Sequence, residues 1–225
     1  MNLLNTKSLA ATVENLNDAL FNDIIIPKTE KISIAKWIAS RQGAPRSYAN
    51  MFAPMSIDFT WGVNLFTGEK ILSAAGVSYY LGQDCCRLLI KMDVKDNKVQ
   101  TALADAVKGI TERINFYDGK KGFYCCCRCS TVYWHYLATD IDKNADLLKA
   151  GMKILKSCRI GDGKWRRFPY WHTLFILTEL PPQISGEEIK YALPASQRML
   201  TLTYRFDKLY VRRRKIAQKA MQLCE

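Results

Sequence analysis

Apolar residues recur along the chain at intervals of three and four, the spacing of one face of an α-helix. Proline, glycine and capping residues cut this pattern into about ten segments. Leu9, Val13, Leu16 and Leu20 line the first, and Pro27 closes the apolar stretch behind it, so that 1–28 reads as an N-terminal arm helix. Thr29 can cap a second helix carrying Ile32, Ala35, Ile38 and Ala39, which stops near Gly43. Gly43, Pro45 and Pro54 then punctuate a loop. Ser56 predicts the start of a helix running through Phe66. From Lys70 to Met92 the apolar residues (Ile71, Ala75, Val77, Tyr80, Leu81, Leu88, Leu89) spread almost all round, the mark of a central, buried helix. Asp96 opens another, with Val99, Leu103, Val107, Ile110 and Ile114 on one face. Helices are further expected over 126–138, from a cap at Asp142 to Cys158, and over 170–180 before Pro181-Pro182. Ser185 and Glu188 have the S-x-x-E spacing of a capping box, and a last helix covers 206–223. Period-two alternation is brief wherever it occurs. The expected fold class is all-α, in a single domain over 1–225.

One internal repeat is visible. A shift of 42 residues lays GFYCCCRCSTVYWHYLA on KWRRFPYWHTLFILTEL, bringing Phe123 onto Trp165 and Thr131 onto Thr173. Both copies follow an Asp-Gly pair, Asp118-Gly119 and Asp162-Gly163, and an amphipathic segment lies between them. A period in the forties is what stacked helical hairpins produce. The run Asp162-Gly163-Lys164-Trp165, a short loop, then Tyr170-Trp171-His172-Thr173-Leu174 resembles the repeat of the terpenoid cyclase and protein prenyltransferase superfamily. Proteins of that superfamily set a D-G-x-W turn before the inner helix of each hairpin. The resemblance implies an α/α toroid, or part of one, with 118–182 as its clearest repeat pair. As a whole the chain is also similar to a bacterial family of small helical proteins, a likeness that implies no activity. The D-x-D-D acid motif of the cyclases is missing; Asp140-x-Asp142 falls at a helix cap, and Asp84-x-Cys86 lies mid-helix. Prenyl or terpene chemistry therefore does not carry over.

Composition narrows the classes. Hydrophobic residues make up 48% of the 225 and charged residues 24%, the mix of a globular chain. No apolar run approaches the ~20 residues of a membrane span, and the polar start with Glu14 and Asp18 does not read as a signal peptide. A cytoplasmic location is expected. Of eight cysteines, five are adjacent to another (Cys85-Cys86 and Cys125-Cys126-Cys127), which disfavours a disulfide framework and points to reduced thiols. The formal charge of +12 is spread along the chain; it favours acidic partners without defining one.

Cys125, Cys126, Cys127 and Cys129 form the densest reactive cluster. At helical spacing Cys125, Cys126 and Cys129 share a face while Cys127 points elsewhere, which suits a soft-metal or redox site, or a tight helix contact packed with small thiols. The repeat register sets His172 beside Ser130, making Cys125, Cys126, Cys129 and His172 a candidate zinc set. His172 and the chain's second histidine, His135, each lie among aromatics, as core histidines also do. Arg166 and Arg167 can hold an anionic group through their guanidinium forks, with Trp171 and His172 beside them, or can tie helix-end carbonyls. The tail carries seven basic residues between Arg205 and Lys219 around an apolar stripe of Leu209, Ile216, Ala220 and Leu223. Docking of that stripe on the body is favoured over contact with nucleic acid or an anionic membrane surface. Two functions remain open. One is a helical domain binding a small apolar or anionic ligand, assisted by a metal such as zinc, with enzyme status undecided. The other is a non-enzymatic interaction scaffold with a basic surface for an acidic partner.

Overall fold

The computed structural model describes residues 3–116, 121–201 and 207–224. Ten α-helices account for the regular structure among them, together with three isolated β-bridges. The chain gathers into two compact units, 1–66 with 70–117, and 67–69 with 118–225. The Asp118-Gly119 turn of the first repeat copy lies outside the described residues.

The first unit holds α1 (Leu9–Phe21), α2 (Lys28–Ala39), α3 (Ser56–Trp61), α4 (Ala74–Met92) and α5 (Asn97–Phe116). The all-round apolar pattern of α4 has its expected consequence: fourteen of its nineteen residues are buried, and it packs against each of the other four helices. Ser73, not Lys70, starts it, its hydroxyl accepting the Gly76 N–H. Buried within α4 are the thiols of Cys85 and Cys86, both pushed well above the ordinary thiol range by desolvation. Its two buried charges, Asp84 and Arg87, neutralise each other. Asp84 accepts Asn17 Nδ2 and Arg87 Nε, each at 2.5 Å, and Arg87 closes the triad on the Asn17 carbonyl. Asp58 joins two elements by accepting from Ser8 Oγ (2.6 Å), the Leu9 and Ala10 N–H groups at the start of α1, and the Met55 N–H before α3. The helix expected through Phe66 stops at Trp61, because Gly62 takes a φ of 75° and the chain turns into an Asn64–Lys70 bridge. Pro27, not Thr29, stands at the N-cap of α2.

The second unit holds α6 (Cys127–Leu137), α7 (Ile141–Ser157), α8 (Tyr170–Leu177), α9 (Pro182–Thr201) and α10 (Lys208–Gln222). Helices α6 and α8 are neighbours: Thr131 Oγ1 meets His172 Nδ1 at 3.0 Å, and the His135 ring meets that of Phe175 at 5.1 Å. Advancing along α6 advances the contact along α8, so the two run parallel. Helix α7 packs on α6 and on α9. Its cap is Asp140 rather than Asp142. The expected capping box at Ser185 and Glu188 does not form, since α9 begins at Pro182, where proline suits a first turn. Glu188 is occupied otherwise, accepting Trp165 Nε1 at 2.8 Å and Arg159 at 2.7 Å.

The basic tail helix docks as its stripe requires, with Ile216, Ala217 and Ala220 buried and Lys219 paired to Glu179 at 2.7 Å. Two of its three consecutive arginines face inward. Arg212 is buried, and Arg213 donates to the Thr67 carbonyl at 2.8 Å while lying over the Trp171 ring. Among the described residues no helix is long and apolar enough to cross a membrane.

Candidate metal centre

The cysteine cluster sits where the loop after residue 121 enters α6. Two contacts hold that loop. Trp134 Nε1, from the middle of α6, donates to the Gly122 carbonyl at 2.7 Å, and the same indole stacks on Phe168. Gly122 (φ 75°) lies against α7 at Gly151, so closely that a Cβ on Gly151 would stand 2.5 Å from Trp134 Nε1. Above this anchor the chain makes a sharp turn. The Cys126 N–H donates to the Tyr124 carbonyl across Cys125, whose φ of 56° is a left-handed value uncommon outside glycine. Ser130, fully buried one turn into the helix, locks the turn. Its hydroxyl accepts the Tyr124 N–H (2.9 Å) and lies within donating distance of the Tyr124 and Cys126 carbonyls (3.1 and 2.9 Å).

The result is three sulfurs in one place. Cys125, Cys126 and Cys129 hold their Sγ atoms within 4.8 Å of one another, and no other group of three or more such donors occurs among the described residues. Cys126 is the N-cap of α6, its sulfur accepting the Cys129 N–H at 3.5 Å. Cys125 and Cys126 are exposed and Cys129 is half-buried. The sulfurs meet through the cap turn: only Cys129 lies within α6, and the positive φ of Cys125 brings the third sulfur round. Cys127 points elsewhere, as its position predicts, toward the Arg166 carbonyl at 4.0 Å.

Electrostatics divide the thiols. The hydrogen bond from the Cys129 thiol lowers Cys126 to about 5, aided by the Cys129 and Arg128 N–H groups and the Arg128 charge against the opposing effect of burial. Helix-start N–H groups favour thiolate for the same reason they favour any anion. Cys129 is raised, first by its hydrogen bond to Cys126 and then by desolvation. Cys127 is raised by burial and by neighbouring Cys158.

His172 stands apart from this group. It is 1% exposed, its Nδ1 faces Thr131, and its backbone N–H donates to Glu69 at 3.1 Å. The reason is helical geometry: Thr131, which meets α8, follows Cys129 by two residues, about 200° round the axis. The sulfur face and the α8 face are on opposite sides of α6. The anion-binding set also divides. Arg166 and Arg167 are exposed in the loop before α8, where the Arg166 N–H donates to the Cys158 carbonyl at 2.8 Å and Arg167 takes a φ of 64°. Trp171 is buried and lines a cavity of about 230 Å³ with Met199, Leu200, Asp207, Leu209, Tyr210 and Arg213.

Neither Ser130 as the clamp nor Arg128 as the charge beside Cys126 stands out in the sequence. A serine four residues after an N-cap cysteine can return its hydroxyl to the cap carbonyl, and that spacing was the available signal. No protein family, curated protein or solved structure matches the chain.

Proposed function

We propose that the second unit is a soft-metal-binding domain in which Cys125, Cys126 and Cys129 ligate one ion, zinc or a softer thiophilic ion, and leave one coordination position facing solvent. The observation that carries this reading is the convergence of three sulfurs within 4.8 Å at a locked helix start. Thiolate is the ligating form of cysteine, and thiolates select zinc and monovalent copper over hard cations. A helix start with Arg128 beside it lowers the cost of gathering negative charge there. Two of the three ligands are exposed, so a bound zinc would complete its shell with water or a small anionic ligand. Three protein ligands and an open position are the pattern of catalytic rather than structural zinc. Arg128, whose charge acts on Cys126, supplies positive charge for such an anion. In the same reading α6 and α8 are the inner helices of an α/α-toroid-like hairpin pair. Their parallel contact supports it.

The test is elemental analysis of protein stripped with chelator, reloaded with zinc and freed of excess. One zinc per chain is expected for the wild type, and none above background for a Cys126→Ser, Cys129→Ser double variant of unchanged helicity. Wild-type protein that retains no metal would end the proposal.

A further inference from the structure

Cys126-Cys127-Arg128-Cys129 is a C-x-x-C segment laid across a helix start, with Cys126 at the N-cap and Cys129 as the third helical residue. These are the two positions that face each other reciprocally in a capping box. Cys126 is held in extended backbone (φ −156°, ψ 171°) with its sulfur over the Cys129 N–H. Residues three apart on a helix have Cα atoms about 5 Å from each other, inside the ~4.4–6.8 Å that a disulfide spans. The two sulfurs already lie within 4.8 Å, so a bond between them joins groups the fold has brought together. Exposure is unequal: Cys126 is open to solvent and Cys129 half-buried. Adjacent Cys125 and Cys126 reach disulfide geometry poorly, and Cys127 is turned toward Arg166.

From this geometry we propose that Cys126 and Cys129 form a dithiol/disulfide couple that exchanges with small-molecule disulfides, and that closing the bond empties the three-sulfur site. The emptying rests on the metal reading given above; the couple itself does not. In the first step the Cys126 thiolate attacks one sulfur of an external disulfide. That S–S bond breaks, one thiolate departs and takes up a proton, and a mixed disulfide remains on Cys126. In the second step Cys129 loses its proton and attacks Cys126 Sγ. The mixed disulfide breaks, and the second external thiol leaves protonated. Two protein sulfurs are oxidised and one external disulfide is reduced to two thiols, one of whose protons comes from solvent and the other from Cys129. A closed Cys126–Cys129 bond removes two of the three thiolates, and Cys125 alone does not hold an ion.

The experiment treats reduced, metal-free, full-length protein with oxidised glutathione and maps the products by peptide mass spectrometry. A single intramolecular Cys126–Cys129 disulfide, reversed by dithiothreitol, is expected. Cys129→Ser should stop at glutathione on Cys126, and Cys126→Ser should lose the reaction at this site, each variant first checked for unchanged helicity. A Cys125–Cys129 or Cys127–Cys158 bond, or scattered glutathione adducts without an internal bond, overturns the couple. In a second arm, zinc-loaded protein is oxidised in the presence of a chromogenic chelator. Zinc release in step with bond formation supports the switch, and zinc retained while Cys126–Cys129 closes overturns it. If zinc never binds, the metal reading fails, and the disulfide map alone still decides the couple.

Discussion

Gly151→Ala is a small perturbation placed where the loop carrying the cysteines is anchored. Gly151 lies inside α7, where exchanging glycine for alanine would ordinarily stabilise by about 1 kcal/mol. Here the added methyl would stand 2.5 Å from Trp134 Nε1, 2.7 Å from Trp134 Cε2 and 3.1 Å from the Gly122 carbonyl oxygen. The indole cannot withdraw freely, because it is stacked on Phe168 and buried. Overpacking of this kind costs about 1–3 kcal/mol, and losing the bond from Trp134 to the Gly122 carbonyl adds about 1 kcal/mol. Net destabilisation of about 1–3 kcal/mol is expected after the helix-propensity gain. Gly186→Ala is the matched control: Gly186 is also inside a helix, α9, but a Cβ there meets nothing within 4 Å. It should stabilise by up to about 1 kcal/mol. Urea unfolding followed by tryptophan fluorescence measures both. A Gly151→Ala protein as stable as the wild type, or more so, would refute the packing argument at this anchor.

Arg87→Met should destabilise the first unit by about 3–5 kcal/mol in thermal unfolding, because it strands the buried Asp84 carboxylate; adding Asp84→Leu should recover most of the loss, and no recovery would contradict the pairing. Cys126 should alkylate with iodoacetamide in metal-free protein at a rate that is half-maximal near pH 5, whereas an ordinary thiol reaches that point near ~8.5. Because folding depresses this thiol, the stability its thiolate contributes is complete above the ordinary range and is lost as the pH falls toward 5. A half-maximum near the ordinary value would refute the helix-start effect. Cys125→Gly should relieve the left-handed backbone, raising stability by roughly 1 kcal/mol, while weakening zinc retention; unaltered retention would remove Cys125 from the site.

Much of this arrangement is legible in the sequence because it depends on local spacing. The all-round apolar run in α4 declares a central helix, and four cysteines in five residues mark the site. The 42-residue register also brings the right helices together, although His172 meets Thr131 rather than Ser130. What spacing cannot carry is the turn. The positive φ at Cys125 is imposed by Ser130 and by the loop anchor of Trp134, Gly122 and Gly151, contacts that link residues from 122 to 151. Glu188 misleads for a related reason. Its capping-box spacing is local, but Trp165 and Arg159, more than twenty residues away, take both of its oxygens. Gly62 likewise ends α3 through a backbone conformation that the apolar pattern beyond it conceals.

The central claim is that three sulfurs of the second unit share one ion. X-ray absorption at the zinc edge of reloaded, reduced protein counts those sulfurs directly. Three sulfurs at about 2.3 Å with one nitrogen or oxygen at about 2.0–2.2 Å, falling to one sulfur or to no bound zinc in the Cys126→Ser, Cys129→Ser variant, is the predicted result. A shell made mainly of oxygen and nitrogen, or one unchanged in that variant, would contradict it.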